Sequence, residues 1–379
     1  MNRKQSWNIV TLFLLLIFGM TAATLLKPDT GFSEKENRTL ASRPKLTISS
    51  LVSGEYTADY ETYLTDQFVF RDQWIGMKTA AERMTLRQET NDIYFAKDDY
   101  LIEKHTGSFE TDQAEANITL LAAFFQKLSE TFDSAHLTAM VVPNAVDILR
   151  DKLPPFASPY DEEQYLGRIK AALPQDVWFD SSEILEQHSR EEIYYRTDHH
   201  WETLGAYYVF EQWASEKGLG LVNPEDYEVL TVTDSFEGTI ASKVGTKVHP
   251  DTIEIYQPVE PVPYLLTYNQ TDDVRSTVYQ EHVLDSKDKY SYFYGGNYGL
   301  VEADMDSQTG KKLLVIKDSY AHCFVPFTYQ LFDEVDMLDL RYFNQSLSAF
   351  IEEGNYTDIL FLYNAAGFAG DSSLARLTT

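Results

Sequence analysis

The chain has 379 residues, 44% hydrophobic and 14% aromatic, which is enough apolar material for a full core and excludes a disordered chain. Against 31 Lys and Arg stand 59 Asp and Glu, a net charge of −28, and such a surface repels phosphate backbones, excluding nucleic acid as a partner. The single cysteine, Cys323, excludes a disulfide framework and a Cys-rich zinc site.

Residues 7–26 (WNIVTLFLLLIFGMTAATLL) carry no charge over the length needed to cross a bilayer. Arg3 and Lys4 precede them, so residues 1–6 read as a cytoplasmic tail and 7–26 as a transmembrane anchor. A cleaved signal peptide is the alternative, although Met20-Thr21-Ala22-Ala23 matches a cleavage site poorly. Either reading puts the rest of the chain outside the cytoplasm, at the cell surface or in a periplasm. Residues 27–50, with Pro28, Gly31 and Pro44, read as a linker or strap, and one folded domain is expected over 51–379.

Residues 54–87 have helical spacing. Residues 93–103 read as a hairpin turning at Lys97-Asp98-Asp99, and 113–133 as an amphipathic helix. The apolar run 136–142, ended by Pro143-Asn144, has the pattern of a buried parallel strand. Helix is expected again over 161–173, a short strand over 177–179 ending at Asp180, and a helix over 203–217 with Thr203 as its N-cap. Residues 219–310 turn rich in Thr, Val, Tyr and Asp and predict a β-rich insertion, either β-rich loops or an inserted antiparallel unit. Core strands follow over 311–316, 336–340 and 359–363. Strand–helix alternation of this kind predicts an α/β parallel sheet with helices on both faces.

In such sheets active residues gather beyond the carboxyl ends of strands, which here are Asn144, Asp180, Ser319 and Asn364. Ser319 stands at a strand-to-helix turn, where its hydroxyl is exposed and the amides beyond it can meet an oxyanion. Capping the next helix is the plainer use of such a serine. A serine needs a base. In Thr197-Asp198-His199-His200-Trp201, Asp198 lies two residues before His200, so on an extended segment both point to one side and His199 to the other. The carboxylate can then orient the imidazole toward a serine. His322, three residues past Ser319, is a second possible base. Two other readings stay open: a metal held by Asp198, His199 and His200 with a further Asp, and histidines hydrogen-bonded under the helix for structure alone. His105, His136, His188, His249 and His282 have no supporting pattern.

Thr197-Asp198-His199-His200-Trp201 followed by Thr203-Leu204-Gly205-Ala206 resembles the signature of the DHHW protein family. These are exported bacterial proteins with an SGNH-hydrolase-like domain, similar to the alginate O-acetyltransferase accessory proteins. Residues 32–40, Asp66–Arg71, Val142-Pro143-Asn144 and Lys317-Asp318-Ser319 resemble further landmarks in the same order, so the resemblance runs from about residue 30 to the end. It implies a three-layer α/β/α, flavodoxin-like sheet. It also implies Ser319 as nucleophile, His200 as base and Asp198 as its orienter, with Lys317 where many relatives have glycine. Its oxyanion or substrate contacts would come from the Ser319 amide, Gly296, Asn297, Arg341 or Asn144. The implied activity is acetyl transfer to a polysaccharide, with acetyl supplied by a membrane-bound O-acyltransferase and no cofactor or metal. An acetylesterase with the same triad and a non-catalytic glycan-binding scaffold are the alternatives.

Overall fold

The computed structural model describes all residues except 1, 2, 34–37, 221, 247, 272 and 379, so the centre of the 32–40 landmark lies outside the described residues. The chain divides into two compact units, one formed by residues 1–87 with 242–247 and the other by 88–241 with 248–379.

The first unit opens with the helix Arg3–Leu26, in which an 18-residue window reaches a mean hydropathy of 2.5, long and apolar enough to cross a membrane, as membrane anchors and signal sequences both are. The stretch expected to be helical becomes two helices, Glu55–Gln67 and Arg71–Met84, and a short helix, Ile48–Ser53, precedes them. The last break falls at Phe70, whose left-handed backbone (φ 58°) no helix can continue through.

The second unit is mixed α/β. Its large sheet contains β1 (Leu137–Val142), β2 (Tyr264–Tyr268), β3 (Val274–Arg275), β4 (Leu300–Met305), β5 (Lys312–Lys317), β6 (Glu334–Leu338) and β7 (Asp358–Asn364), in the order β3-β2-β4-β6-β5-β7-β1. β6, β5, β7 and β1 run parallel, whereas β4, β2 and β3 are antiparallel. The sheet is therefore mixed rather than wholly parallel. Between β4 and β5 stand only residues 306–311, too few for the helical crossover a parallel pair needs. The stretch 219–310 supplies these antiparallel strands and also a ribbon, Tyr227–Phe236 paired with Asp251–Pro258.

Successive residues of the buried strands enter two separate apolar clusters. Leu137, Ala139 and Val141 of β1 join Leu314, Ile316 and Phe361, while Met140 and Val142 join Leu313, Val315 and Leu360. Both faces of the parallel strands are thus packed, which is why these strands read as unbroken apolar runs. The hairpin Ile93–Phe95 with Leu101–Glu103 forms as expected, with Asp98 and Asp99 at positive φ in its turn. Residues 177–179 make only a bridge at Trp178 to Ala139. Helix Thr203–Glu216 is capped one residue earlier than expected: Glu202 is the N-cap, and the Thr203 hydroxyl donates to the Glu254 carbonyl (2.7 Å).

Candidate active site

Ser319 stands two residues past the end of β5 and two before helix Ala321–Thr328. Asn144 follows β1 and Asn364 ends β7, so three parallel strands deliver polar side chains to one edge. These ends are cross-linked. Asp318 Oδ2 accepts from Asn364 N (2.8 Å) and Nδ2 (2.6 Å), and its Oδ1 from Tyr320 N (2.9 Å). Asn144 Nδ2 donates to Asn364 Oδ1 (3.1 Å), and Asn144 Oδ1 accepts from Ala366 N (2.9 Å). Gly367 lies against this knot: a Cβ there would stand 2.5 Å from Asn364 Nδ2 and 2.8 Å from Asp318 Oδ2. Burial pushes the Asp318 carboxyl up to about 6.

Below the turn, the wholly buried Lys317 donates to Asp339 Oδ2 (3.2 Å) and lies 2.8 Å from His322 Nε2. Burial lowers the Lys317 pKa, and burial followed by the Lys317 charge holds His322 well below its ordinary value. His322 Nε2 is therefore engaged by the lysine rather than by Ser319. Asp339 also accepts from Arg341 Nε (2.9 Å) and Nη2 (2.6 Å), an arrangement that fixes the guanidinium plane.

The second half of the site is a loop without regular structure. Asp251 accepts from Arg196 N (2.9 Å) and Thr197 N (2.8 Å), and the Thr197 hydroxyl accepts from Gly238 N (2.9 Å). Asp198 Oδ2 accepts from Thr239 N (2.8 Å) and Oγ1 (3.0 Å), while Oδ1 accepts from His200 N (3.1 Å) and Nδ1 (2.6 Å). Only glycine fits at 238, because a Cβ would lie 2.3 Å from Asp198 Cβ. His200 Nε2 is 2.7 Å from Ser319 Oγ. With the carboxylate on Nδ1, the ring carries its proton there and Nε2 is free to accept from the serine.

Burial works to raise the Asp198 pKa, but the two neighbouring imidazoles and the bonds from His200 and Thr239 hold it well below the carboxylate range. Burial, then the neighbouring His199, pushes His200 down to about 4, leaving the ring neutral at pH 7. Its face stacks on Tyr290 at 3.8 Å. The two halves are also joined directly. Trp201 Nε1 donates to the Tyr320 carbonyl (2.9 Å), and the Tyr320 hydroxyl donates to the His199 carbonyl (2.5 Å).

A cavity of about 650 Å³ is lined by Ser319, His199, Asn144, Arg341, Asn364 and Asp371, among others. Asn144 and Arg341 thus stand with Ser319, whereas Gly296 and Asn297 do not line the cavity. Gly296 has left-handed backbone (φ 123°), and Asn297 Oδ1 reaches Arg341 Nη2 only at 3.5 Å. Asp180 lies elsewhere, 3.4 Å from Lys170.

His199 does not turn away from His200. Its ring lies 3.9 Å from the His200 ring and 3.3 Å from Asp198 Oδ1, because this loop bends and the alternation of an extended strand does not apply. His105, set aside in the sequence, and Glu103 line the same cavity from the hairpin end. Asn364-Ala365-Ala366-Gly367 at a strand end held the signal for the Asn364–Gly367 contact, but nothing local pointed to His105 or Thr239. Cys323 is buried, which pushes its thiol up to about 12 and makes it a poor nucleophile.

Asp198, His199 and His200 offer ligand atoms within 4.8 Å of one another, as a metal reading requires. Both Asp198 oxygens already accept hydrogen bonds and His200 Nε2 faces Ser319, so the donor set fits a triad better than a cation.

The family model described as DHHW protein matches residues 108–338. The chain belongs to the DHHW protein family. Among solved structures, a DHHW family protein from Eubacterium siraeum is 26% identical with a TM-score of 0.61, covering 76% of this chain and 96% of that one. PatB1 from Bacillus cereus is 20% identical with a TM-score of 0.59, covering 73% and 97%. The O-acetyltransferase domain of Pseudomonas putida AlgJ is 14% identical with a TM-score of 0.44, covering 75% and 98%. No curated protein matches the chain.

Proposed function

We propose that this DHHW protein is an extracytoplasmic O-acetyltransferase that modifies a cell-surface or secreted polysaccharide through an acetyl-Ser319 intermediate. The observation that carries the reading is the chain from Asp198 to His200 (2.6 Å) and on to Ser319 (2.7 Å), with Ser319 lining a cavity. In the first half, Ser319 Oγ attacks the acetyl carbonyl of the donor ester while His200 Nε2 takes its proton. Collapse of the tetrahedral intermediate expels the donor alcohol, which receives that proton. In the second half, His200 deprotonates a sugar hydroxyl, which attacks the acetyl-serine. Ser319 leaves and recovers its proton.

The Ser319 amide, with Asn144 and Arg341 on the cavity wall, would meet the oxyanion or the acyl carbonyl. With this activity go an SGNH-hydrolase-like three-layer arrangement bearing the β-rich insertion, residues 7–26 as the anchor, and acetyl supply by a membrane-bound O-acyltransferase. The test is intact-mass measurement with an acetyl donor, with and without an oligosaccharide acceptor. The protein should gain one acetyl group on Ser319 and pass it to sugar. Ser319→Ala and His200→Ala should abolish both steps. Release of acetate with no acetylated sugar would make the protein an esterase, and acetylation surviving both substitutions would refute the triad.

A further inference from the structure

The first unit exposes a row of large apolar side chains that its own fold does not use. On helix Arg71–Met84, the residues Trp74, Met77, Ala81 and Met84 fall within an arc of about 80° at 100° per residue. All four are exposed, Met84 at 85%. The opposite side of this helix is taken: the Thr79 hydroxyl donates to the Val244 carbonyl (2.6 Å), and a Cβ on Gly76 would stand 2.7 Å from the Gly245 carbonyl oxygen. Ile48 and Val52, on the short helix upstream, are exposed at 86% and 84%, and Leu86, just past the last helix, at 87%.

Charge divides along the same line. Leaving out Arg3 and Lys4 of the N-terminal tail, residues 5–87 with 242–247 carry 11 Lys and Arg against 9 Asp and Glu, net +2, whereas the other unit has 18 against 50, net −32. Anionic lipid repels the second unit and attracts the first.

We propose that the Trp74–Met84 face is a membrane-docking surface that lies in the headgroup region of an anionic bilayer. Three observations favour lipid over a protein partner. The apolar row is a single helical stripe containing a tryptophan, as interfacial helices have. The unit that bears it is the positively charged one. The same unit begins with the apolar helix Arg3–Leu26, which ends 45 residues before Arg71. The proposal rests on the anchor reading for the nearness of a bilayer, not for the face itself.

The test places nitroxide labels on the full-length chain, in a Cys323→Ala background, at Met77→Cys, Met84→Cys and, as a polar control, the exposed Asp59→Cys. The protein is reconstituted into vesicles of phosphatidylglycerol and phosphatidylcholine. Labels at 77 and 84 should be relaxed several-fold more by oxygen than by a water-soluble nickel chelate, with the order reversed at 59. In pure phosphatidylcholine the difference at 77 and 84 should shrink. Nickel access at 77 and 84 equal to that at 59 overturns the proposal, as does protection from both reagents, which marks a protein covering the face. A label at Leu14→Cys reports the span separately. Leu14 in lipid with 77 and 84 in water overturns the docking alone, whereas Leu14 in water overturns the anchor while 77 and 84 still score the docking.

Discussion

Ser319 and His200 meet at 2.7 Å, yet they are held by unlike means. Ser319, the proposed nucleophile, stands just past the end of β5, with β6 and β7 hydrogen-bonded on either side and a buried lysine beneath. His200, the proposed base, sits on a loop with no regular structure, and side chains do for it what a sheet does for Ser319: Asp251 caps Arg196 and Thr197, and Asp198 gathers four donors. A strand end tolerates local change because neighbouring strands share the positioning. A loop held by side-chain hydrogen bonds concentrates it in a few residues, so small substitutions there should disturb chemistry before they disturb the fold.

The largest break is expected at the orienter. Asp198→Asn should lower kcat/KM about 10⁴-fold, roughly 5.5 kcal/mol, by favouring the wrong imidazole tautomer, while melting stays cooperative. Steady-state kinetics beside a thermal melt checks it, and a loss below tenfold would remove Asp198 from the triad. On the sheet side, Lys317→Met leaves Asp339 with one cation fewer and His322 Nε2 without its donor. Removing one partner of a buried pair costs about 3–5 kcal/mol, read as a shift in denaturant midpoint. Gly238→Ala sharpens the contrast. Its Cβ must push Asp198 aside, and displacement of about 1 Å should cost on the order of 10² in rate, with a much smaller loss of stability.

The smallest effect is a pH dependence. Folded His200 titrates near 4, below its ordinary value, so the unfolded chain takes up the proton first. Its contribution to stability is intact above about pH 6.5 and is lost as pH falls toward 4. Between pH 7 and 5 the protein should lose about 2 kcal/mol more than a His200→Gln variant by denaturant titration, and kcat/KM should fall as the ring protonates near pH 4.

The same contrast explains what was legible in the sequence. The buried strands announced themselves as apolar runs, and their polar ends, Asn144, Ser319 and Asn364, followed from counting to the end of each run. The Asp198–His200 pairing was legible because the contact is local, two residues apart. Its companions were not. Thr239 and Asp251 come from 41 and 53 residues beyond Asp198, across a stretch with no periodicity, and His105 reaches the cavity from a hairpin read only as a turn signal. His199 was assigned to the wrong side because alternation was assumed for a loop that bends. An antiparallel unit over 219–310 was legible, but that its strands extend the large sheet was not, because pairing between distant segments leaves no local mark.

The Tyr290 ring stacked on His200 sets the order of events. With Asp198 on Nδ1, Tyr290 at 3.8 Å and His199 at 3.9 Å, the imidazole has no room to swing between two alcohols. In the proposed reaction one fixed Nε2 protonates the departing donor alcohol and later deprotonates the incoming sugar, so both use the same spot in turn. Donor and acceptor cannot be bound there together. The proposed acetyl transfer therefore predicts ping-pong turnover, with parallel double-reciprocal plots and with the donor alcohol competing with the sugar for the acetyl-enzyme.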